Sequence, residues 1–172
     1  VATTIKTFAV GAPPTAADLN TYLIQGSYII KPSDESRITT TLSNDSALVL
    51  PVQANTRYWL QCLFITSGVA ASDMSFKFIA PTGTTMQWVS DALGSAATTF
   101  FGIISRSVQP ISGNPSFGLA TAAAFCIASS KGFINVGSTG GNLRPQWAQA
   151  VVDAGNPTFM RAGSMMAIRR IM

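Results

Sequence analysis

Short runs of β-branched, aromatic and hydroxyl residues, broken by turn residues about every 8–15 positions, constrain this chain more than any other feature. Such runs suit strands, because branched and aromatic side chains pack well on a pleated surface. The chain holds 18 Thr and 18 Ser, which favour strands and turns over helix interiors. From Arg37 onward the candidate strands are Arg37–Leu42, Ala47–Val52, Arg57–Thr66, Met74–Ala80, Thr84–Val89, Thr98–Ser105, Lys131–Gly137, Leu143–Ala150 and Ser164–Ile171. Ala120–Ala128 reads as strand or helix. In Arg57–Thr66 the even positions Tyr58, Leu60, Cys62 and Phe64 face one way and Trp59, Gln61, Leu63 and Ile65 the other. Both sets are largely apolar, so this strand is expected to be central and covered on both sides. Gln109–Ser116, with Pro110, Gly113, Asn114 and Pro115, is the strongest breaker. The pattern predicts an all-β antiparallel sandwich, jelly-roll-like, over residues 37–172.

Residues 1–36 differ in texture. Val1–Val10 reads as an extended arm, stopped at Gly11-Ala-Pro-Pro14. Thr15-Ala-Ala-Asp18 resembles a helix N-cap with an acid three residues on. Leu19, Tyr22 and Leu23 follow at i, i+3 and i+4, on one helical face. Gly26 and Ser27 are expected to end this short helix, and Lys31–Ser36 to form a polar linker. A lone helix of about ten residues is marginal without a partner surface. Residues 1–30 are therefore expected to act as a docking arm with Leu19, Tyr22 and Leu23 as apolar anchors, unless the helix packs on its own sandwich.

Charge is sparse: 10% of residues, against roughly 25% in an ordinary soluble domain. The net charge of +4 comes from 11 basic and 7 acidic residues that are scattered along the sequence, with Arg169-Arg170 the one basic pair. That spread lacks the cluster of a nucleic-acid binder. The longest apolar stretch, Leu119–Ala128, is about half of the ~20 residues a spanning helix needs. Val1–Ile5 lacks a basic start before an apolar run, so no secretory leader is expected. Low charge in a chain that is 47% hydrophobic points to surface hidden against copies of itself or other proteins.

The chemistry-bearing residues are few. There is no histidine, so a hydrolase triad lacks its usual base. Glu35 is the single glutamate, and Asp45, Asp73 and Asp91 each follow Asn or Ser, where a short carboxylate serves turn backbone. No run places acids at alternating positions for calcium. Cys62 and Cys126 sit in apolar runs and read as buried free thiols, and two cysteines without histidine make no standard zinc site. Gly137-Ser-Thr-Gly-Gly141 lacks the lysine and helix of a phosphate loop and reads as a hairpin turn. No catalytic, cofactor or metal site is expected. Trp59, Trp88, Trp147, Tyr58, Phe76 and Phe78 could form a carbohydrate platform, against the ordinary reading that they fill the core.

Two C-terminal segments carry a resemblance: Gly140-Gly-Asn-Leu-Arg-Pro-Gln-Trp-Ala-Gln149 and Thr158-Phe-Met-Arg-Ala-Gly-Ser-Met-Met-Ala-Ile-Arg-Arg-Ile171. They resemble small virion proteins from tailed phages of actinobacteria, described as minor tail or head-decoration proteins. Pro14-Thr-Ala-Ala-Asp-Leu-Asn-Thr-Tyr22, Glu35-Ser-Arg-Ile-Thr-Thr-Thr-Leu-Ser-Asn-Asp45 and Phe78-Ile-Ala-Pro-Thr-Gly83 are similar to that family's helix entry, first strand and hairpin. The chain departs from the pattern at Pro145, in the Ser107–Ser116 loop and at Ala120–Ala128. The resemblance implies a virion-located structural protein, a capsid decoration or minor capsid protein, with the major capsid protein as partner and a homo-oligomer, expected as a trimer, as its form. The alternatives are a minor tail or host-recognition protein, with a tail protein or host-surface glycan as partner, and a carbohydrate-binding sandwich module.

Overall fold

The computed structural model describes residues 13, 15, 26–95, 97, 99, 104–121 and 124–171. Thirteen strands are present among them: β1 (Gly26–Ile30), β2 (Glu35–Arg37), β3 (Ser43–Asn44), β4 (Leu50–Val52), β5 (Arg57–Ser67), β6 (Met74–Ile79), β7 (Thr85–Leu93), β8 (Ile104–Pro110), β9 (Ser116–Phe117), β10 (Cys126–Asn135), β11 (Gly141–Gln149), β12 (Thr158–Met160) and β13 (Met165–Arg170). They form two antiparallel sheets. The larger runs β1-β13-β5-β10-β7-β8, with β12 beside β5 and β2 beside β12. The smaller runs β3-β11-β6-β9, with β4 also on β11.

The expected fold class needs correction. The described residues are all strand, turn and loop, with no helix among them. The helix expected from Thr15, with Leu19, Tyr22 and Leu23, lies outside the described residues. Gly26 and Ser27, expected to end that helix, instead open β1, which pairs with β13 from Gly26↔Arg169 to Ile30↔Met165. Glu35, placed in a linker, opens β2 against β12. Part of the expected arm and linker is therefore sheet. Local sequence could not show this, because the partners lie more than 120 residues away.

Consecutive long strands mostly change sheet. β5, β7, β10 and β13 belong to the larger sheet and β4, β6, β9 and β11 to the smaller, with β7–β8 a hairpin added at one edge. Gly137–Gly141 and Pro81–Gly83 therefore connect strands of different sheets and are not the hairpins the sequence suggested. Of Ala120–Ala128, the described residues 120–121 and 124–125 are loop and Cys126 opens β10. Pro145 sits inside β11, where β4 pairing ends at Leu143 and β3 pairing begins at Gln146, so its missing N–H falls at a break in the ladder.

The core lies between the facing sides of the sheets. Phe64 of the larger sheet meets Phe76 and Phe78 of the smaller at 4.9 and 6.4 Å, and Trp88 closes on Phe78 at 5.0 Å. Trp88 meets Phe78 edge to face at 86°, a preferred geometry of aromatic pairs, while Phe64 is tilted by 46° and 44° to Phe76 and Phe78. Trp147, Leu60, Leu48 and Ile134 are equally buried. Cys62 and Cys126 both face this core as free thiols, and burial pushes both thiols up. Cys62 pairs with Ser130 and Cys126 with Thr66, four rungs away on the same ladder. At ~3.4 Å per residue that is about 13 Å, beyond the reach of a disulfide.

Candidate functional site: the outer face of the larger sheet

The expectation for β5 fails on one side. Its even residues are buried, while Gln61 and Leu63 on the other face are exposed and Trp59 and Ile65 are half-covered. A mostly apolar central strand thus has one wet face, which antiparallel sheets permit. Cross-strand register defines that face. One row runs Ile30, Met165, Leu63, Ser129, Asp91 and Arg106. The next holds Tyr28, Ala167, Gln61, Lys131, Val89 and Val108, and the third Arg169, Trp59, Phe133, Gln87 and Pro110.

The two ends of this face differ. The upper end exposes Ile30, Leu63, Ile104, Phe125 and Ile127, with Phe125 63% exposed and Ile127 58%. A shallow cavity of about 300 Å³ lies there between Ile104, Phe125, Ile127 and Asp91. The lower end is aromatic, amide-rich and basic. Trp59 and Phe133 meet edge-on at 4.9 Å, and the Arg57 guanidinium lies 5.1 Å from the Phe133 ring. Two depressions flank Phe133. One of about 390 Å³ is lined by Trp59, Gln87, Val89, Val108 and Lys131. The other, of about 310 Å³, is lined by Arg57, Thr85, Gln87, Pro110 and Asn135.

Charge separates between this sheet and the rest of the chain. The six long-path strands β1, β13, β5, β10, β7 and β8 carry five basic residues (Arg57, Arg106, Lys131, Arg169 and Arg170) and one acid, Asp91. The remaining residues carry six of each, so the net +4 resides in these strands. Asp91, expected to serve a turn, is a strand residue held by Arg106 at 2.7 Å. Among the described residues no carboxylate pairs with Arg57, Lys131 or Arg169.

The other acids serve the fold. Lys31 is buried and donates to Glu35 Oε2 at 2.7 Å and to both oxygens of Asp45 at 2.9 Å. Asp45 also accepts the Trp147 indole N–H (3.0 Å) and the backbone N–H groups of Ala47 and Leu48. Arg37 pairs with Glu35 at 2.6 Å and stacks over Trp147 at 4.0 Å. Burial pushes the Glu35 carboxyl up, but hydrogen bonds from Lys31, Arg37 and Ser46 outweigh it and hold it at about 2. This cluster ties β2 to β3 and β11 across the sheets. Its burial left no mark on the sequence, because a lysine beside a proline looks the same in a solvated linker. Asp73, at φ 44°, accepts the Leu119 N–H at 3.1 Å, and burial raises its carboxyl to about 6.

The motif residues of the resemblance are fasteners as well. Gln149 donates to the carbonyls of Asp153 and Asn156 and accepts the Asp153 N–H, closing the 150–157 loop. Arg161 binds Asp34 at 2.7 Å and stacks on Phe159 at 4.0 Å. Gly163 takes φ +85°, and its N–H donates to the Lys31 carbonyl. Of the aromatics considered as a sugar platform, Trp88, Trp147, Tyr58, Phe76 and Phe78 are buried, and Trp59 alone reaches the outer face. Among the described residues no three Cys, Asp or Glu side chains converge to hold a metal.

No protein-family model matches the chain, and no curated protein is similar to it in sequence. Solved structures share parts of its shape. The tripod from the baseplate of bacteriophage Tuc2009 aligns over 99% of this chain and 79% of its own, at 8% identity and a TM-score of 0.36. Infectious bursal disease virus, Gx strain, aligns over 84% of this chain and 38% of its own, at 9% identity and a TM-score of 0.26. The VP2 subviral particle of that virus aligns over 86% and 37%, at 8% identity and a TM-score of 0.20. At such TM-scores none of these likenesses bears on what this chain does.

Proposed function

We propose that this chain is a structural virion protein of a tailed bacteriophage that docks on an assembled shell as a capsid decoration or minor capsid protein. The observation that carries the reading is the upper end of the outer face, where Ile30, Leu63, Ile104 and Ile127 are exposed on the strands of the sheet and Phe125 directly before β10. Exposed apolar residues gathered at one place, as Ile104, Phe125 and Ile127 are around their shallow cavity, mark an interaction site. The low charge supports the same reading, since few charges must lose water when an interface forms. The C-terminal motifs supply the phage resemblance, and in this structure they serve the sheets' geometry. Repeated docking on a symmetric shell would add up small contacts into a large stabilisation.

The test is incorporation into particles. Leu63→Asp with Ile127→Asp alters exposed positions only, so the fold should persist while binding to shells is lost. Retained incorporation at normal copy number would remove this face from the interface. A truncation testing the docking arm must stop at residue 25, because residues 26–30 are β1. The second reading, a minor tail protein, separates by stoichiometry: hundreds of copies per particle for decoration, a few for a tail tip.

A further inference from the structure

We infer that the lower end of the outer face is a binding site for an anionic saccharide, with Trp59 and Phe133 as its apolar floor and Arg57, Lys131 and Arg169 as its charge-recognising rim. This inference does not rest on the virion reading. It uses the opposite end of the face from the docking patch, and it can be tested on the isolated protein.

Three observations converge on it. The first is uncompensated charge. Arg57, Lys131 and Arg169 surround the Trp59–Phe133 pair through the pairings Arg57↔Asn135, Gln61↔Lys131 and Arg169↔Trp59. No described carboxylate neutralises them, and Asp91, the one acid on these strands, is engaged by Arg106. Such a cluster attracts an anion and bonds it more strongly than neutral donors would. The second is an orphan donor. Arg57 Nε is buried without a hydrogen-bond partner, on a residue that lines the depression beside Phe133. A buried donor left unmade is costly, and a small turn of the Arg57 side chain towards a ligand oxygen in that depression would relieve it.

The third observation selects the class of anion. Gln61, Gln87, Asn135 and Thr85 share this part of the face with the cations. Side-chain amides offer paired donors and acceptors, which suit the many hydroxyls of a sugar. The two depressions, about 390 and 310 Å³, are at the small end of ligand pockets and are divided by the Phe133 ring. Consecutive sugar units could occupy one each. A nucleic acid would call for a longer basic track and several open stacking rings. Here Phe133 is covered on one side by Arg57 and set edge-on to Trp59.

The experiment is calorimetric titration of the full chain with short oligogalacturonate, with a neutral malto-oligosaccharide and oligo(dT) as comparisons, alongside an array carrying carboxylated and sulfated glycans. The expected result is binding to the acidic saccharides that weakens as salt rises and is absent with the neutral one. Lys131→Gln and Arg57→Gln should each weaken it about tenfold with unchanged denaturation midpoints. Phe133→Ala should reduce binding of every acidic saccharide alike. Equal binding of the neutral sugar, binding of oligo(dT) in preference to uronate, or silence across the acidic arms of the array would each overturn the assignment. So would full affinity in the doubly substituted Arg57→Gln, Lys131→Gln protein.

Discussion

Lys31 and Lys131 have the same chemistry and opposite circumstances. Lys31 is buried between the sheets, where Glu35 and Asp45 take the hydrogen bonds of its ammonium group. Lys131 stands on the outer face beside a Trp–Phe pair, with no described carboxylate as partner. A charge inside a fold must be matched, since the desolvation cost is otherwise prohibitive. A charge outside can stay unmatched, and several unmatched charges together form a field that a ligand can answer. The first cluster holds the molecule together, and the second is free to recognise something else.

The largest expected effect comes from breaking the buried side of this contrast. Lys31→Ala leaves Asp45 charged, buried and short of its cation, so stability measured by urea unfolding should drop by about 3–5 kcal/mol. Lys131→Ala should change it by less than about 0.5 kcal/mol. Equal losses would mean that the outer cations are structural too.

The contrast sharpens one residue along the same strand. Gly132 faces inward, and a Cβ there would meet the Gln87 carbonyl oxygen at 2.4 Å and Trp88 Cα at 2.7 Å. Both obstacles are backbone, so Gly132→Ala should destabilise by about 1–3 kcal/mol in the same assay. If it does not, β10 and β7 are spaced more loosely than this register implies.

The acids give a smaller, pH-dependent version. Glu35 is held at about 2, below its ordinary 4.5, so its contribution is present above pH 4.5 and is lost as pH falls towards 2. Asp73 has no described cation and is raised to about 6 from 3.8. Its contribution has the opposite sign: full below pH 3.8, lost as pH rises through 6. Asp73→Asn keeps an acceptor for the Leu119 N–H and tolerates the positive φ. It should add about 1 kcal/mol at pH 7 and flatten the unfolding midpoint between about pH 4 and 6. An unchanged pH profile would show that the Asp73 carboxyl is fully hydrated. The smallest effect on stability, within about 0.5 kcal/mol, belongs to Arg169→Gln on the outer face, where the salt dependence of ligand binding is the quantity that should move.

The alternation of β6 was legible, because apolar residues at a period of two fit a pleated strand and no helical face, whereas β5, apolar at both parities, showed its strand length but not its one exposed face. So were the C-terminal strands, whose ends fall within a residue or two of β11 and β13. β1 was not legible, since Gly-Ser-Tyr-Ile-Ile carries no period that separates the end of a helix from an edge strand. β2 and β3 replaced the longer strand expected over Arg37–Leu42, because Glu35 was claimed by Lys31 and Arg37 by Glu35 and the distant Trp147. Asp91 gave the same lesson on a small scale: its neighbour Ser90 suggested a turn, and Arg106 across the hairpin made it a strand residue.

By itself the sequence determined the strand-forming texture, the scarcity of charge and the lack of histidine, since these are properties of composition and local pattern. It also suggested where the large rings would go, because apolar mass seeks the interior. Only the tertiary structure decided that basic residues spread from position 57 to position 170 share one sheet, that one lysine is buried and another bare, and that the most apolar strand keeps one face in water. Those outcomes depend on which distant strands pair. Pairing brings together residues that no local period can connect.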